Sequence, residues 1–313
     1  MDGEKGEGPE LEKQFEVTGH PTFILLNKDG AVVDRWRGYG KADKFIENLM
    51  AGVQDPTTID QKRKRFASKP TVGDAEKLAN FHGAREEYKD AVRYYGEAQK
   101  LAGGTRDFTY PLFDATADGV IEGAFTLTDA KKAADAAIAY QGRGVDEVLD
   151  VASTMTWLGR KQKDRKIMVP YLERAITVSK DSKDEDVLKT RQRLMVPYAL
   201  YVEGDEAKAV TLRKEAMGEG WDRDAKKING FAWWCFESGV NLEEAEKLAD
   251  QAVDLAADDK TKAAALDTLA ELCNLRNNCQ DAVRYMELAV AADPKSEEYP
   301  KKLEQFRKNL ANR

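Results

Sequence analysis

Thiols are scarce in this 313-residue sequence. Its three cysteines, Cys235, Cys273 and Cys279, are odd in number and include no CxxC pair, which excludes a disulfide framework and a cysteine-based zinc site. Histidine is scarcer, with only His20 and His82, so a His-rich metal site is excluded and no metal or cofactor is implied. No apolar run approaches the ~18 residues that a spanning helix needs, so membrane insertion is not expected. A basic excess is absent too. The formal net charge of −7 argues against a nucleic-acid partner, which a basic face would normally signal. The polar start Met1-Asp2-Gly3-Glu4-Lys5-Gly6 does not read as a signal peptide.

What remains is 42% hydrophobic and 34% charged residues, the composition of a helix-rich globular chain with a heavily charged surface. The length is enough for two or three domains with a real core. Three segments are expected, at 1–53, 54–69 and 70–313.

In the first segment, Pro9 to Glu16 reads as a short helix with Leu11 and Phe15 on one face. Phe23 to Leu26 has the length and composition of a strand. Lys28-Asp29-Gly30 is a hairpin turn, and Ala31 to Arg37 is the returning strand, with Val33 and Trp36 as its apolar residues. After a break at Gly38-Tyr39-Gly40, the spacing of Ala42, Phe45, Ile46 and Leu49 predicts an amphipathic helix to about Ala51. Asp55-Pro56-Thr57-Thr58 signals a linker. The basic run Lys62-Arg63-Lys64-Arg65 reads as the solvated face of a short helix, with a phosphate- or acid-binding patch as the sharper alternative.

Beyond residue 70 no strand pattern is evident, and helical repeats are expected. Leu266, Leu269, Ala270, Ala282, Ala289 and Pro294 occupy the offsets of the tetratricopeptide (TPR) pattern. Small residues let two antiparallel helices approach, large ones fill the groove between repeats, and the proline stops the second helix. Pairs of alanines seven apart recur at Ala245/Ala252, Ala209/Ala216 and Ala91/Ala98. The last pair has Tyr95 between its members and Leu78 and Ala79 before it. The first alanines lie 36 (209 to 245) and 37 (245 to 282) residues apart, slightly more than the TPR period of about 34. Between 105 and 190 the segments DAKKAADAAI and MVPYLERAITVSK read as second helices of uncertain register. The tetrapeptide MVPY occurs at both 168–171 and 195–198.

The residues Asp2, Gly6-Glu7-Gly8-Pro9-Glu10-Leu11, Lys13, Phe15, Val17 and Gly19-His20-Pro21-Thr22, followed by the strand, the Asp-Gly hairpin, Gly38 and a helix, resemble the C-terminal half of a thioredoxin-like domain over about 50 residues. With helical units such as FAWWCFESGVNLEEAEKLADQAVDLA and LDTLAEL, the whole chain resembles bacterial thioredoxin-family proteins with TPR-like C-terminal regions. The resemblance implies a mainly α fold: a TPR-like α-solenoid preceded by a partial thioredoxin-like α/β unit made of a cis-proline loop, a β-hairpin and a terminal helix. It also implies that Gly19, His20, Pro21 and Thr22 form the loop that presents backbone groups to an extended substrate peptide. The CxxC half of such a domain is missing, so a sequence truncated at its N-terminus is expected, with a strand supplied by a partner as the alternative. Family members are often exported, with the signal in the part that is missing; the compartment stays open.

Thioredoxin chemistry needs an activated thiolate and a resolving thiol. No cysteine lies in 1–53, so no catalytic residue is assigned. Cys273 and Cys279 read as packing residues, with a redox or metal role as the alternative; Cys235, in an apolar run, reads as core. His82 falls at a packing position. Trp233 and Trp234 are adjacent, so one is expected to pack between repeats, and the other to pack likewise or to line a groove as an aromatic anchor. The expectation is a non-catalytic scaffold for a protein or peptide partner, with a thiol–disulfide oxidoreductase lacking its catalytic half as the alternative.

Overall fold

The computed structural model describes residues 6–38 and 42–311. Asp2, Tyr39 and Gly40, which entered the sequence reading, lie outside the described residues. The fold is mainly α-helical, with one two-stranded sheet among the described residues. The chain divides into two compact units, 1–188 and 189–313. The segments 1–53 and 54–69, and the start of 70–313, all lie within the first.

The first unit opens with α1 (Gly8–Gln14), β1 (Thr22–Leu26), β2 (Val32–Arg37) and α2 (Ala42–Gln54). The strands pair antiparallel, Phe23 opposite Trp36 and Leu25 opposite Asp34, and the register shifts at Leu25/Leu26. Asn27 closes the turn by accepting from the backbone N–H groups of Asp29 and Ala31. Phe45 of α2 packs edge-on to Phe23 and Trp36, with centroids 4.9 and 5.8 Å away. A Cβ on Gly52 would collide with Leu25, so glycine lets α2 settle on the sheet. The amphipathic helix is present but its apolar face is not wholly buried: Ile46 and Leu49 stay exposed.

The helix α3 (Ile59–Ser68) follows. Thr58 and Gln61 cap it reciprocally, the pairing that satisfies two orphan N–H groups at a helix start. The linker residue Asp55 and the basic run are built into this corner. Lys62 is buried (1% exposed), not solvated. Its ammonium donates to the carbonyls of Val33 (3.2 Å), Asp55 (3.2 Å) and Thr57. Arg65 bridges Asp74 and Asp55. Arg63, Lys64 and Arg65 keep the expected exposed setting, and Arg63 pairs with Asp60 at 2.7 Å.

Helical hairpins make up the rest of the unit. α4 (Val72–Gly83) packs on α5 (Tyr88–Ala102), α6 (Thr109–Ile121) on α7 (Leu127–Ala139), and α8 (Val145–Lys161) on α9 (Val169–Val178). Ala91 and Ala98 are fully buried on α5. On α7 the same spacing is met by Ala130 and Ala137, which supplies the register that the sequence left open in DAKKAADAAI. The helix α10 (Glu185–Tyr198) crosses into the second unit, where α11 (Glu206–Glu215) follows. The two MVPY copies have opposite settings. Pro170 lies in the first turn of α9, where its missing N–H costs nothing. Pro197 lies inside α10, ahead of a π-helical stretch at Ala199–Glu203.

The second unit pairs α12 (Ala225–Ser238) with α13 (Leu242–Leu255) and α14 (Asp259–Leu275) with α15 (Cys279–Ala292), and α16 (Glu298–Ala311) closes on α15. Leu266, Ala270, Ala282 and Ala289 share one core cluster, Leu269 is buried in the neighbouring one, and α15 stops two residues before Pro294. Ala245 and Ala252 are fully buried on α13. The pair Ala209/Ala216 is corrected by half: Ala209 is buried, but α11 ends at Glu215 and Ala216 is its exposed C-cap. These alanine-packed hairpins make the fold TPR-like.

Candidate functional site

Four helices and a strand end of the first unit line a groove of about 690 Å³, with α2 contributing Asn48. β2 contributes Trp36 and Arg37, α4 contributes Glu76 and Asn80, α5 contributes Tyr88 and Tyr95, and α6 contributes Asp114 and Asp118. Gly83, Ala84 and Ala115 add small residues to its lining. The polar rim is partly preorganised. The Tyr95 hydroxyl donates to Asn80 Oδ1 at 2.6 Å, Glu76 pairs with Arg106 at 2.9 Å, and Arg37 pairs with Glu86 at 2.9 Å.

Asp114 and Asp118 form no ion pair among the described residues. They lie four apart on α6, a helix whose sequence TYPLFDATADGVI contains no lysine or arginine. Asp114 is open to the groove, but the surrounding protein and the carboxylates of Asp118 and Asp150 push its pKa up to about 6. Asp118 is raised as well, by burial first and by Glu86 and Glu122 against the lowering effect of Arg37. Burial also raises Tyr88, to about 12. The groove therefore combines aromatic walls with carboxylates that form no ion pair among the described residues, an arrangement suited to a cationic group carried on an extended chain.

The residues Gly19, His20, Pro21 and Thr22 form a turn at the head of β1. The His20–Pro21 bond is cis. Thr22 Oγ1 donates to the Gly19 carbonyl at 2.5 Å. A Cβ on Gly19 would strike the Arg37 guanidinium, so glycine is what lets the loop lie against the arginine that also meets Glu86. His20 is two-thirds exposed, with Nε2 2.6 Å from Glu12 Oε1. It borders a separate, largely apolar cavity of about 370 Å³ between α1 and β1, lined by Leu11, Phe15, Val17 and Ile24.

In the second unit Trp234 is buried among Phe231, Cys235 and Leu272. Trp233 is half-buried, 5.1 Å from the Phe236 ring, and the Lys302 ammonium sits 5.4 Å from its centroid. That ammonium is held by Asp267 at 2.9 Å, Glu298 at 3.2 Å and Glu271 at 3.3 Å, so the face of Trp233 already carries an intramolecular cation.

The cysteines are free and buried. Burial pushes the Cys235 thiol up to about 12 and that of Cys273 up to about 11, the opposite of the lowered value that a reactive thiol needs. His82 packs on Tyr94, with centroids 5.4 Å apart, and its Nδ1 meets Glu87 at 2.5 Å. Among the described residues no cluster of three or more His, Cys, Asp or Glu could hold a metal, and no helix is long and apolar enough to cross a membrane.

The sequence reading missed the groove carboxylates. Their signal was the pair Asp114/Asp118 at helical spacing without a basic neighbour on the helix, together with Tyr88 and Tyr95 seven apart on α5.

No protein-family model and no curated protein matches the chain. Among solved structures it is similar to the C-terminal part of a TPR repeat-containing protein from Cytophaga hutchinsonii (12% identity, 84% of this chain and 98% of that one, TM-score 0.46). It is also similar to a tetratricopeptide repeat protein from Parabacteroides merdae (10%, 85% and 98%, 0.48) and to YrrB, described as a TPR protein with an unusual peptide-binding site (14%, 80% and 100%, 0.36). The repeats of this chain are defined by its own alanine-packed hairpins.

Proposed function

We propose that the chain is a non-catalytic protein-interaction scaffold, and that the groove on α4, α5 and α6 receives a segment of a partner protein carrying lysine or arginine. The observation that carries this reading is the pair Asp114 and Asp118, lining an open groove beside Tyr88 and Tyr95 and forming no ion pair among the described residues. Helical hairpins hold such a surface rigid, and a cation delivered by a peptide would offset the burial and like-charge repulsion that raise both carboxyl groups. Selection of displayed peptides on the full chain is the test. Enriched peptides should contain basic residues and should lose at least about tenfold in affinity with Asp114→Asn/Asp118→Asn. Enrichment without basic residues, or binding indifferent to the double variant, would refute it.

A second reading concerns residues 1–53, and the order α1, β1, β2, α2 favours it. In this reading the segment is the C-terminal part of a thioredoxin-like domain, 54–69 connects it to a repeat region at 70–313, and a longer protein containing the CxxC half is a thiol–disulfide oxidoreductase. An in-frame CxxC encoded upstream of Met1 would support it; a stop codon in frame immediately before Met1 would sink it.

A further inference from the structure

The outer edge of β1 is unpartnered among the described residues. The Gly38 N–H bonds to the Pro21 carbonyl and the Asn27 N–H to the Ala31 carbonyl. By the alternation of an antiparallel ladder, Phe23 and Leu25 therefore spend their backbone groups on β2, while Thr22, Ile24 and Leu26 turn theirs outward. The far side of the sheet is not free in this way, because β2 packs against α3 and α4.

Both faces beside this edge are apolar. On one face lies the cavity between α1 and β1, lined by Leu11, Phe15, Val17, Ile24 and Leu26. On the other lies α2. Its residues Glu47, Ala51 and Gln54 line a cavity shared with α3 and α4, and Phe45 and Gly52 meet the sheet. At 100° per residue, Ile46, Met50 and Val53 then project over the β1 edge. They are 55, 48 and 59% exposed, whereas isolated folded units seldom leave such a line of large apolar side chains uncovered. Natural edge strands are usually blunted by charge; β1, Thr-Phe-Ile-Leu-Leu, has none.

A strand added at this edge would send alternate side chains to the two apolar faces, so it must carry no charged residue at any position. β2 fails, with Asp34, Arg35 and Arg37. So do residues 1–5, Met-Asp-Gly-Glu-Lys. β1 itself satisfies the requirement. We propose that β1 pairs antiparallel, about a two-fold axis, with β1 of a second copy of this chain, placing Ile24 opposite Ile24 and Thr22 opposite Leu26. Such a contact is self-complementary, as a two-fold interface must be. It is independent of the groove reading and competes with an upstream strand as the occupant of the edge.

Sedimentation equilibrium of the full 313-residue chain tests it, together with hydrogen exchange at Ile24 and Leu26. The chain should dimerise reversibly, with both amides protected. Ile46→Glu/Met50→Glu, at exposed positions, and Leu26→Lys should each weaken the dimer at least about tenfold and release the amides, with the helical circular-dichroism signal retained. A monomer at every concentration would overturn the proposal, as would a dimer indifferent to these substitutions. A monomer with protected amides would show that the chain itself covers the edge, and would overturn it equally.

Discussion

The Lys62 ammonium donates to the Val33 carbonyl, 29 residues earlier, at 3.2 Å. This bond, with those to the carbonyls of Asp55 and Thr57, ties α3 to the back of β2 through a lysine that is 1% exposed. Lys62→Met keeps the stem and removes the donor, leaving the acceptors unpaired in a closed corner. An unsatisfied buried polar group costs about 1–3 kcal/mol, so a loss of about 3 kcal/mol is expected in urea unfolding. Lys64→Met, at an exposed position of the same run, should change stability by no more than about 0.5 kcal/mol. Equal effects at the two positions would show that Lys62 is not structural.

Ala282 and Ala216 separate a packing alanine from an apparent one. Ala282 is fully buried where α15 meets α14, and enlarging a residue in a filled core costs about 1–3 kcal/mol. Ala282→Leu should be destabilised by that amount. Ala216→Leu, at the exposed C-cap of α11, should lie within about 0.5 kcal/mol of the parent. Thermal melts of the two variants decide the matter; a costly Ala216→Leu would mean that α11 packs as the other second helices do.

The contrast also explains what could be read from the sequence. A small-residue pair reports how closely two neighbouring helices approach, which is a local property, so the hairpins of Ala91, Ala245 and Ala282 were legible. Ala130 and Ala137 have the same spacing, but no recognisable set of large residues precedes them on α6, and their register emerged only from the packing. Lys62 was read with its charged neighbours because nothing local shows that three carbonyls converge on it. The groove was illegible for the same reason. Trp36, Asn80, Tyr95 and Asp118 come from four separate elements, and only the tertiary fold brings them to one cavity.

Cys235 and Cys273 should be inert in the folded chain. Burial raises both thiols, to about 12 and about 11, so the thiolate that attacks a disulfide reagent is nearly absent near neutral pH. Labelling with an aromatic disulfide should proceed at these two positions only as fast as the chain opens, and should accelerate sharply in denaturant. Rapid modification of either one under native conditions, located by peptide mapping, would contradict the packing role.

Asp114 should make stability depend on pH in a direction opposite to that of an ion-paired carboxylate. Crowding by the groove walls and the nearby Asp118 and Asp150 raise its pKa from 3.8 to about 6, so between those values the native state holds a proton that the unfolded chain releases. Stability is then greatest, for this group, below about pH 4 and is lost as pH rises through about 6. Asp114→Asn removes the charge and with it this dependence. The variant should melt above the parent at about pH 7.5 and show no such advantage at about pH 4, where Asp114 is already protonated. A basic peptide seated in the groove should reverse the trend, stabilising the parent more at about pH 7.5 than at about pH 5, because its cation supplies the ion pair that Asp114 lacks. Melting curves of both proteins across this range, with and without the peptide, test the carboxylate's repulsion and its use in binding separately. A parent and variant that melt in parallel at every pH would mean that Asp114 is solvated like any surface acid.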